Sequence, residues 1–169
     1  MSPTDPRVLD DIVKAYDVRG TVPDQINTHV AYALGVGFAR FCHAPRVLVA
    51  RDMRPSGPEL VDAFSRGVME HGSDVVDLGL ASTDLMYYAA GTLDAPGAMF
   101  TASHNPAGYN GVKFCLSGAR PVGVDTGLVH LAVGRGGPTV AIYTDSSPAL
   151  TGVLAARAGR ACNLGDVDR

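Results

Sequence analysis

The stretch Gly97-Ala98-Met99-Phe100-Thr101-Ala102-Ser103-His104-Asn105-Pro106-Ala107-Gly108-Tyr109-Asn110-Gly111-Val112-Lys113-Phe114-Cys115-Leu116 decides how the chain is read. Its two apolar ends, 97–100 and 112–116, have the length of strands. Between them lie hydroxyls, an imidazole, carboxamides, a proline and glycines. Small polar residues held at both ends by strands are the usual setting for a loop that carries chemistry. Tyr109, Asn110 and Gly111 read as turn formers, because Asn-Gly tolerates positive φ.

Working outward, the preceding chain alternates strands and helices. From Gln25 to Phe41, the residues Ile26, Val30, Leu34, Phe38 and Phe41 recur every three or four positions, as on one buried helical face. Gly35 and Gly37 weaken that helix, and close packing on a sheet would explain them. Arg46 to Ala50 is a β-branched run that predicts a buried strand. The polar loop 51–57 follows, then a helix over Pro58 to His71 with Leu60, Val61, Phe64 and Val68 on one face. Asp74 to Leu78 predicts another strand, and Asp84 to Leu93 a third helix. This alternation points to an α/β fold, a three-layer α/β/α domain with a mixed, mostly parallel sheet. Ligands of such sheets sit beyond the carboxyl ends of the strands, so loops 51–57, 79–83 and 101–111 should cluster.

Bulk properties narrow the function classes. One ordinary domain is expected from 169 residues, 46% hydrophobic and 18% charged. A net charge of -3 supplies no basic field for nucleic acid or anionic lipid, so a bound anion must be held by a few local groups. Cys42, Cys115 and Cys162 show neither a disulfide framework nor metal-ligand spacing, and Cys115 in a strand predicts a buried free thiol. No apolar signal core opens the chain, and no run approaches the roughly 18 apolar residues of a membrane span. The expectation is a cytoplasmic protein without membrane or nucleic-acid partners.

Ser103 is the centre of the chemical reading. Serine needs an adjacent base, a metal or a pre-installed group to react. The Gly-x-Ser-x-Gly elbow of hydrolases is absent, and His29, His43, His71 and His130 lie in or near helices, which disfavours an acyl-transfer triad. A serine carrying a phosphoryl group is the other sensible use, balanced by a divalent cation and by Lys113, Arg19 or His104.

Thr101-Ala102-Ser103-His104-Asn105-Pro106 followed by Gly108-Tyr109-Asn110-Gly111-Val112-Lys113 closely resembles the active-site loop of the α-D-phosphohexomutases, nearest to their phosphomannomutase/phosphoglucomutase branch. Tyr16-Asp17-Val18-Arg19-Gly20 and Arg51-Asp52-Met53-Arg54-Pro55-Ser56 resemble two further motifs of that family, in the family's order. The resemblance implies that Ser103 is the phosphoserine, exchanging its phosphoryl group with hexose phosphates through a bound bisphosphate. It implies Mg2+ on the serine phosphate, so that Ser103 is the one metal-linked residue, and glucose 1,6-bisphosphate as activator. Lys113 matches a position assisting proton transfer, and Arg19 one near the transferring phosphate. His104 and Asn105 would shape the loop and contact phosphate or sugar, with Tyr16 beside the same site. Arg51 and Arg54 would brace the loop, and Asp52 would pair with one of them.

The family-like part is expected over 1–127, as domain I of a four-domain family. Residues 128–169 are expected to be a poorly specified C-terminal segment, glycine- and proline-rich and without lysine or glutamate. A strand over Thr139 to Tyr143 and a helix over Gly152 to Arg160 are its only patterned pieces. Leu164-Gly165-Asp166-Val167-Asp168-Arg169 resembles the family's metal loop but lacks its first aspartate. A truncated product, a shifted reading frame or an excised domain would explain the change of character. Two functions follow: the catalytic-serine domain of a phosphohexomutase, or a non-catalytic remnant that keeps the fold and binds phosphosugars. The choice of sugar and the oligomeric state are not encoded in these motifs.

Overall fold

Short β-branched runs bounded by turn residues become strands, and each longer amphipathic run becomes a helix. The structure, a computed structural model, describes residues 12–13, 17–122, 139–142 and 161–164. In chain order the elements are β1 (Val18–Thr21), α1 (Thr28–Cys42), β2 (Arg46–Arg51), α2 (Gly57–Met69), β3 (Asp74–Leu80), α3 (Thr83–Thr92), β4 (Gly97–Phe100) and β5 (Tyr109–Leu116). A single 3-10 turn leads to the two-residue β6 (Arg120–Pro121), and β7 (Thr139–Ile142) pairs in parallel with β8 (Ala161–Leu164) in a separate two-stranded sheet. Residues 1–11 and the helix expected at 152–160 lie outside the described residues.

The main sheet runs β1-β5-β4-β2-β3, with β6 on β5. Its parallel part is β4-β2-β3, whose strands are joined by the crossover helices α2 and α3. β5 runs antiparallel to β4, β1 and β6. The connection from β4 to β5 is too short for a crossover helix, so the chain can only reverse there. The mixed α/β fold expected from the sequence is therefore present, with the antiparallel pairs gathered on β5.

Alternation along the strands fills two cores. Val47, Val49, Ala98, Phe100, Val112 and Phe114 face α1 and α2, whereas Leu48, Ala50, Met99 and Cys115 face α3. Helices on both faces make three layers. Four aromatic rings join the sheet to the α1 and α2 layer: Phe38 of α1 lies 4.6 Å from Phe114, and Phe64 of α2 meets Phe100 edge-on at 5.4 Å. Phe100 and Phe114 stand on the strands that enter and leave the loop at 101–108, so the core anchors both ends of that loop.

Asn27 caps α1 by accepting from the amides of His29 and Val30, and Ser82 caps α3 through Leu85. Leu60, Val61, Phe64 and Val68 of α2 are all buried, as their spacing requires. Gly35 has a different cause from the one its sequence suggests. A Cβ there would lie 2.2 Å from the carbonyl oxygen of Phe64, and one at Gly67 would lie 2.4 Å from that of Tyr32. These glycines let α1 and α2 touch backbone to backbone; the sheet is not their neighbour. No helix among the described residues is long and apolar enough to cross a membrane.

Two outcomes test this packing. Gly35→Ala or Gly67→Ala should push the helices apart and lower unfolding stability by about 1–3 kcal/mol in urea denaturation. Gly108→Ala, whose Cβ meets nothing within 4 Å, should change it by no more than about 0.5 kcal/mol. The thiols behave likewise through burial. Burial raises Cys115 from 9.0 to about 11 and Cys42 from 9.0 to about 12. The thiolate at pH 8 is then suppressed, and alkylation of both residues, mapped by peptide mass, should be at least about tenfold slower in the folded than in the unfolded protein. The same shift favours the folded state below pH 9, and that contribution is lost as pH rises through about 11.

Candidate active site

The loop after β4 begins at the carboxyl edge of the parallel strands, where the backbone ends of β2 and β4 are tied together by the Asp52 amide donating to the Phe100 carbonyl at 2.9 Å. Loop 79–83 lies one strand away. Its Ala81 amide donates to the Arg51 carbonyl, and it gives no side-chain hydrogen bond to the 101–108 loop among the described residues.

Arg54 organises this edge. Only 9% exposed, its guanidinium spends all five N–H donors. Nη1 donates to the carbonyls of Pro106 at 2.7 Å and Tyr109 at 2.8 Å. Nη2 donates to those of Ser103 at 3.0 Å and Asn105 at 2.8 Å. Nε donates to Oδ2 of Asp52 at 3.2 Å, and the Asp52 Oδ1 also accepts from the Arg54 amide at 3.0 Å. A planar fork is suited to this task because its donor directions are preset. Arg51, by contrast, packs along Gly57 and makes no side-chain hydrogen bond or ion pair among the described residues.

Ser103 is exposed and has φ +55, a left-handed conformation uncommon for serine. Its hydroxyl lies 3.1 Å from Nδ1 of His104. The imidazole that reaches Ser103 is thus its own chain neighbour, not one brought from a distant helix. His104 is exposed and has no carboxylate behind it among the described residues, so the pair lacks the third member of a triad.

Arg19 on β1 donates from Nη1 to Oδ1 of Asn105 at 2.8 Å, and Nη2 pairs with Asp17. Its buried Nε has no partner among the described residues. Asp17 is only 6% exposed, and its spacing of two from Arg19 on an extended segment was the signal for it. Lys113 sits on β5 between β1 and β4, so it is no edge-strand lysine. The register sets Arg19 opposite Gly111, two residues from Lys113, so both cations rise from one face of the sheet. Lys113 is half-buried, and nothing described bonds to it. Tyr16 lies outside the described residues.

The turn read at Tyr109-Asn110-Gly111 is instead the start of β5. Asn110 is fully buried, and its Nδ2 donates to Oγ of Ser56 at the start of α2, 2.9 Å away. Gly111 is required by proximity, since a Cβ there would lie 2.2 Å from the Val18 carbonyl oxygen. Positive φ falls at Ser103 itself. Asn110 resembles any loop amide in the sequence, and only its bond to Ser56, distant in sequence, reveals its role.

Among the described residues no group of three His, Cys, Asp or Glu could hold a metal ion. They do not make a magnesium site. Asp166 and Asp168 lie outside the described residues.

Replacing Arg54 tests the brace. Arg54→Lys keeps the charge but cannot reach four carbonyls, so stability should fall by about 2–4 kcal/mol. Amide exchange over 101–111 should also accelerate before global unfolding. Unchanged exchange in that loop would show that Arg54 does not hold it.

Comparison with known proteins gives this geometry a lineage. The family model for phosphoglucomutase/phosphomannomutase, alpha/beta/alpha domain I, matches residues 10–127. A model for glycosyltransferase family 9 (heptosyltransferase) matches 112–166, a minority of the chain. A phosphomannomutase of Klebsiella pneumoniae is 40% identical over 116 residues, which are 68% of this chain and 74% of the relative. The phosphohexose mutases of Xanthomonas campestris pv. campestris are 43% identical over 116 residues, 68% of this chain but 26% of theirs. The solved phosphoglucomutase/phosphomannomutase family protein of Burkholderia thailandensis superposes with a TM-score of 0.60 at 38% identity, covering 66% of this chain and 27% of that one. Three sequence motifs, a three-layer domain and a serine loop braced at the end of a parallel strand thus coincide, and the chain belongs to the phosphoglucomutase/phosphomannomutase family, through its domain I.

Proposed function

We propose that the chain is the phosphoserine-bearing domain of a phosphohexomutase acting on hexose 1- and 6-phosphates. The observation that carries this reading is Ser103, exposed and held by its backbone in a left-handed turn, with its hydroxyl against His104. In the proposed step Oγ of Ser103 attacks the phosphorus of a hexose bisphosphate in line. The Oγ–P bond forms, the P–O bond to the sugar breaks, and the sugar oxygen leaves protonated. A neutral His104 with Nδ1 unprotonated is placed to accept the Ser103 proton. Arg19 faces the phosphoryl charge, with Asn105 holding its guanidinium in place. Lys113, on the same face, is assigned proton transfer to the sugar oxygen. The serine so charged then gives its phosphoryl group to the free hydroxyl of a hexose monophosphate, regenerating Ser103 Oγ and a bound bisphosphate, and transfer of that bisphosphate's other phosphoryl group back to Ser103 completes the isomerisation.

Magnesium enters this proposal only as a ligand of the Ser103 phosphate, its other donors lying outside the described residues. Glucose 1,6-bisphosphate is the proposed priming donor. The chain spans about a quarter of the Xanthomonas relative, so most of a full-length relative's surface is not represented in it. That fact favours a second reading, a phosphosugar-binding module that keeps the fold without turnover.

Incubation with glucose 1,6-bisphosphate and magnesium, followed by intact mass, distinguishes them. One added phosphoryl group is expected, mapped to Ser103 and lost in Ser103→Ala, with weak or no turnover of glucose or mannose phosphates. Absence of that group under saturating donor overturns the carrier reading in favour of the binding module.

A further inference from the structure

We infer that Thr101 is a positioning residue, the middle of a relay Asp52–Thr101–Ser103 that sets the backbone of the reactive serine. This deepens the phosphoserine reading and rests on it for its kinetic part. Thr101 is buried on the row that contains Gly111 and Arg19, immediately after β4. Its Oγ1 donates to Oδ2 of Asp52 at 2.7 Å and accepts from the amide of Ser103 at 3.0 Å. Threonine has one hydroxyl proton, and an ionised carboxylate can only accept. The direction is therefore determined: Ser103 N–H to Thr101 Oγ1, Thr101 O–H to Asp52.

Oδ2 of Asp52 also accepts from Nε of Arg54, whose Nη2 holds the Ser103 carbonyl. One carboxylate oxygen thus governs both ends of the Ser103 peptide backbone. The amide is pinned through Thr101 and the carbonyl through Arg54. A left-handed non-glycine residue persists only where its surroundings over-determine it. The relay also consumes the Ser103 N–H, so a phosphoryl group on Oγ must draw its donors from elsewhere: His104 lies against the hydroxyl, and Arg19 of β1 reaches the loop at Asn105.

The experiment uses the full chain with glucose 1,6-bisphosphate as probe and times phosphoryl uptake by intact mass. Thr101→Val keeps the shape and removes the hydroxyl, and uptake should slow by about 10-fold to 100-fold, as for a reacting atom misplaced by an ångström. Thr101→Ser restores the hydroxyl and should recover most of the rate. Both variants should keep the wild-type circular dichroism spectrum. Uptake by a folded Thr101→Val at the wild-type rate overturns the inference, as does a serine variant no faster than the valine one. A readout on the wild type needs neither uptake nor a folded variant: the Ser103 amide, on an exposed residue, should be strongly protected from hydrogen exchange. An amide exchanging at the rate of free peptide overturns the relay. If wild type takes up no phosphoryl group, the carrier reading fails, and the protected amide still decides the relay.

Discussion

A buried guanidinium with all five of its donors engaged is the constraint on which the rest of this site depends. Four loop carbonyls, at Ser103, Asn105, Pro106 and Tyr109, converge on Arg54 within 3.0 Å. Carbonyls in a polar loop otherwise turn to water or a strand partner, and here one guanidinium takes all four. Burying an arginine is costly unless its charge is matched. Asp52 matches it, and the same carboxylate reaches across to Thr101. The loop's shape and the arginine's charge balance are therefore one problem with one solution.

That solution requires the two strands to arrive at fixed positions. Phe100 and Phe114, one at each side of the loop, belong to the ring cluster under α1 and α2. Gly35 and Gly67 allow those helices to approach closely enough to cover the rings. Gly111 permits β1 to press against β5, which brings Arg19 to Asn105. Packing contributed by α1, α2 and β1 thus sets where a loop hydroxyl stands. The chemistry of the loop is polar, but its placement is an apolar event.

The charge arrangement around Ser103 is sparse. Arg19 is bound on two sides by Asp17 and Asn105, and Lys113 rises from the same face without a described partner. With a net charge of -3, the protein as a whole does not attract an anion, so any attraction there must be local. Among the described residues no three metal-ligating side chains group together. What this domain supplies at Ser103 is a fixed backbone with two cations on one face of the sheet beside it.

Periodicity and composition were enough for the elements, because burial of one face per helix and alternate residues per strand leaves a direct imprint on the chain. The helical faces at Val30, Leu34 and Phe38 and at Leu60, Phe64 and Val68 were legible that way, as was the mixed three-layer class. The motif around Ser103 was legible too, since a serine between two strands with a proline and glycines is a local pattern. Asn110 and Gly111 were misread as a turn because a local rule about φ could not see Ser56 or the Val18 carbonyl. Gly35 was assigned to the wrong neighbour for the same reason. The amino-acid sequence by itself determined the layered fold, the family and the motif in which Ser103 stands. Only the tertiary structure decided what holds that serine, because Arg54, Asp52 and Thr101 meet through contacts spanning roughly fifty residues, and hydrogen-bond direction across such distances is written in no local pattern.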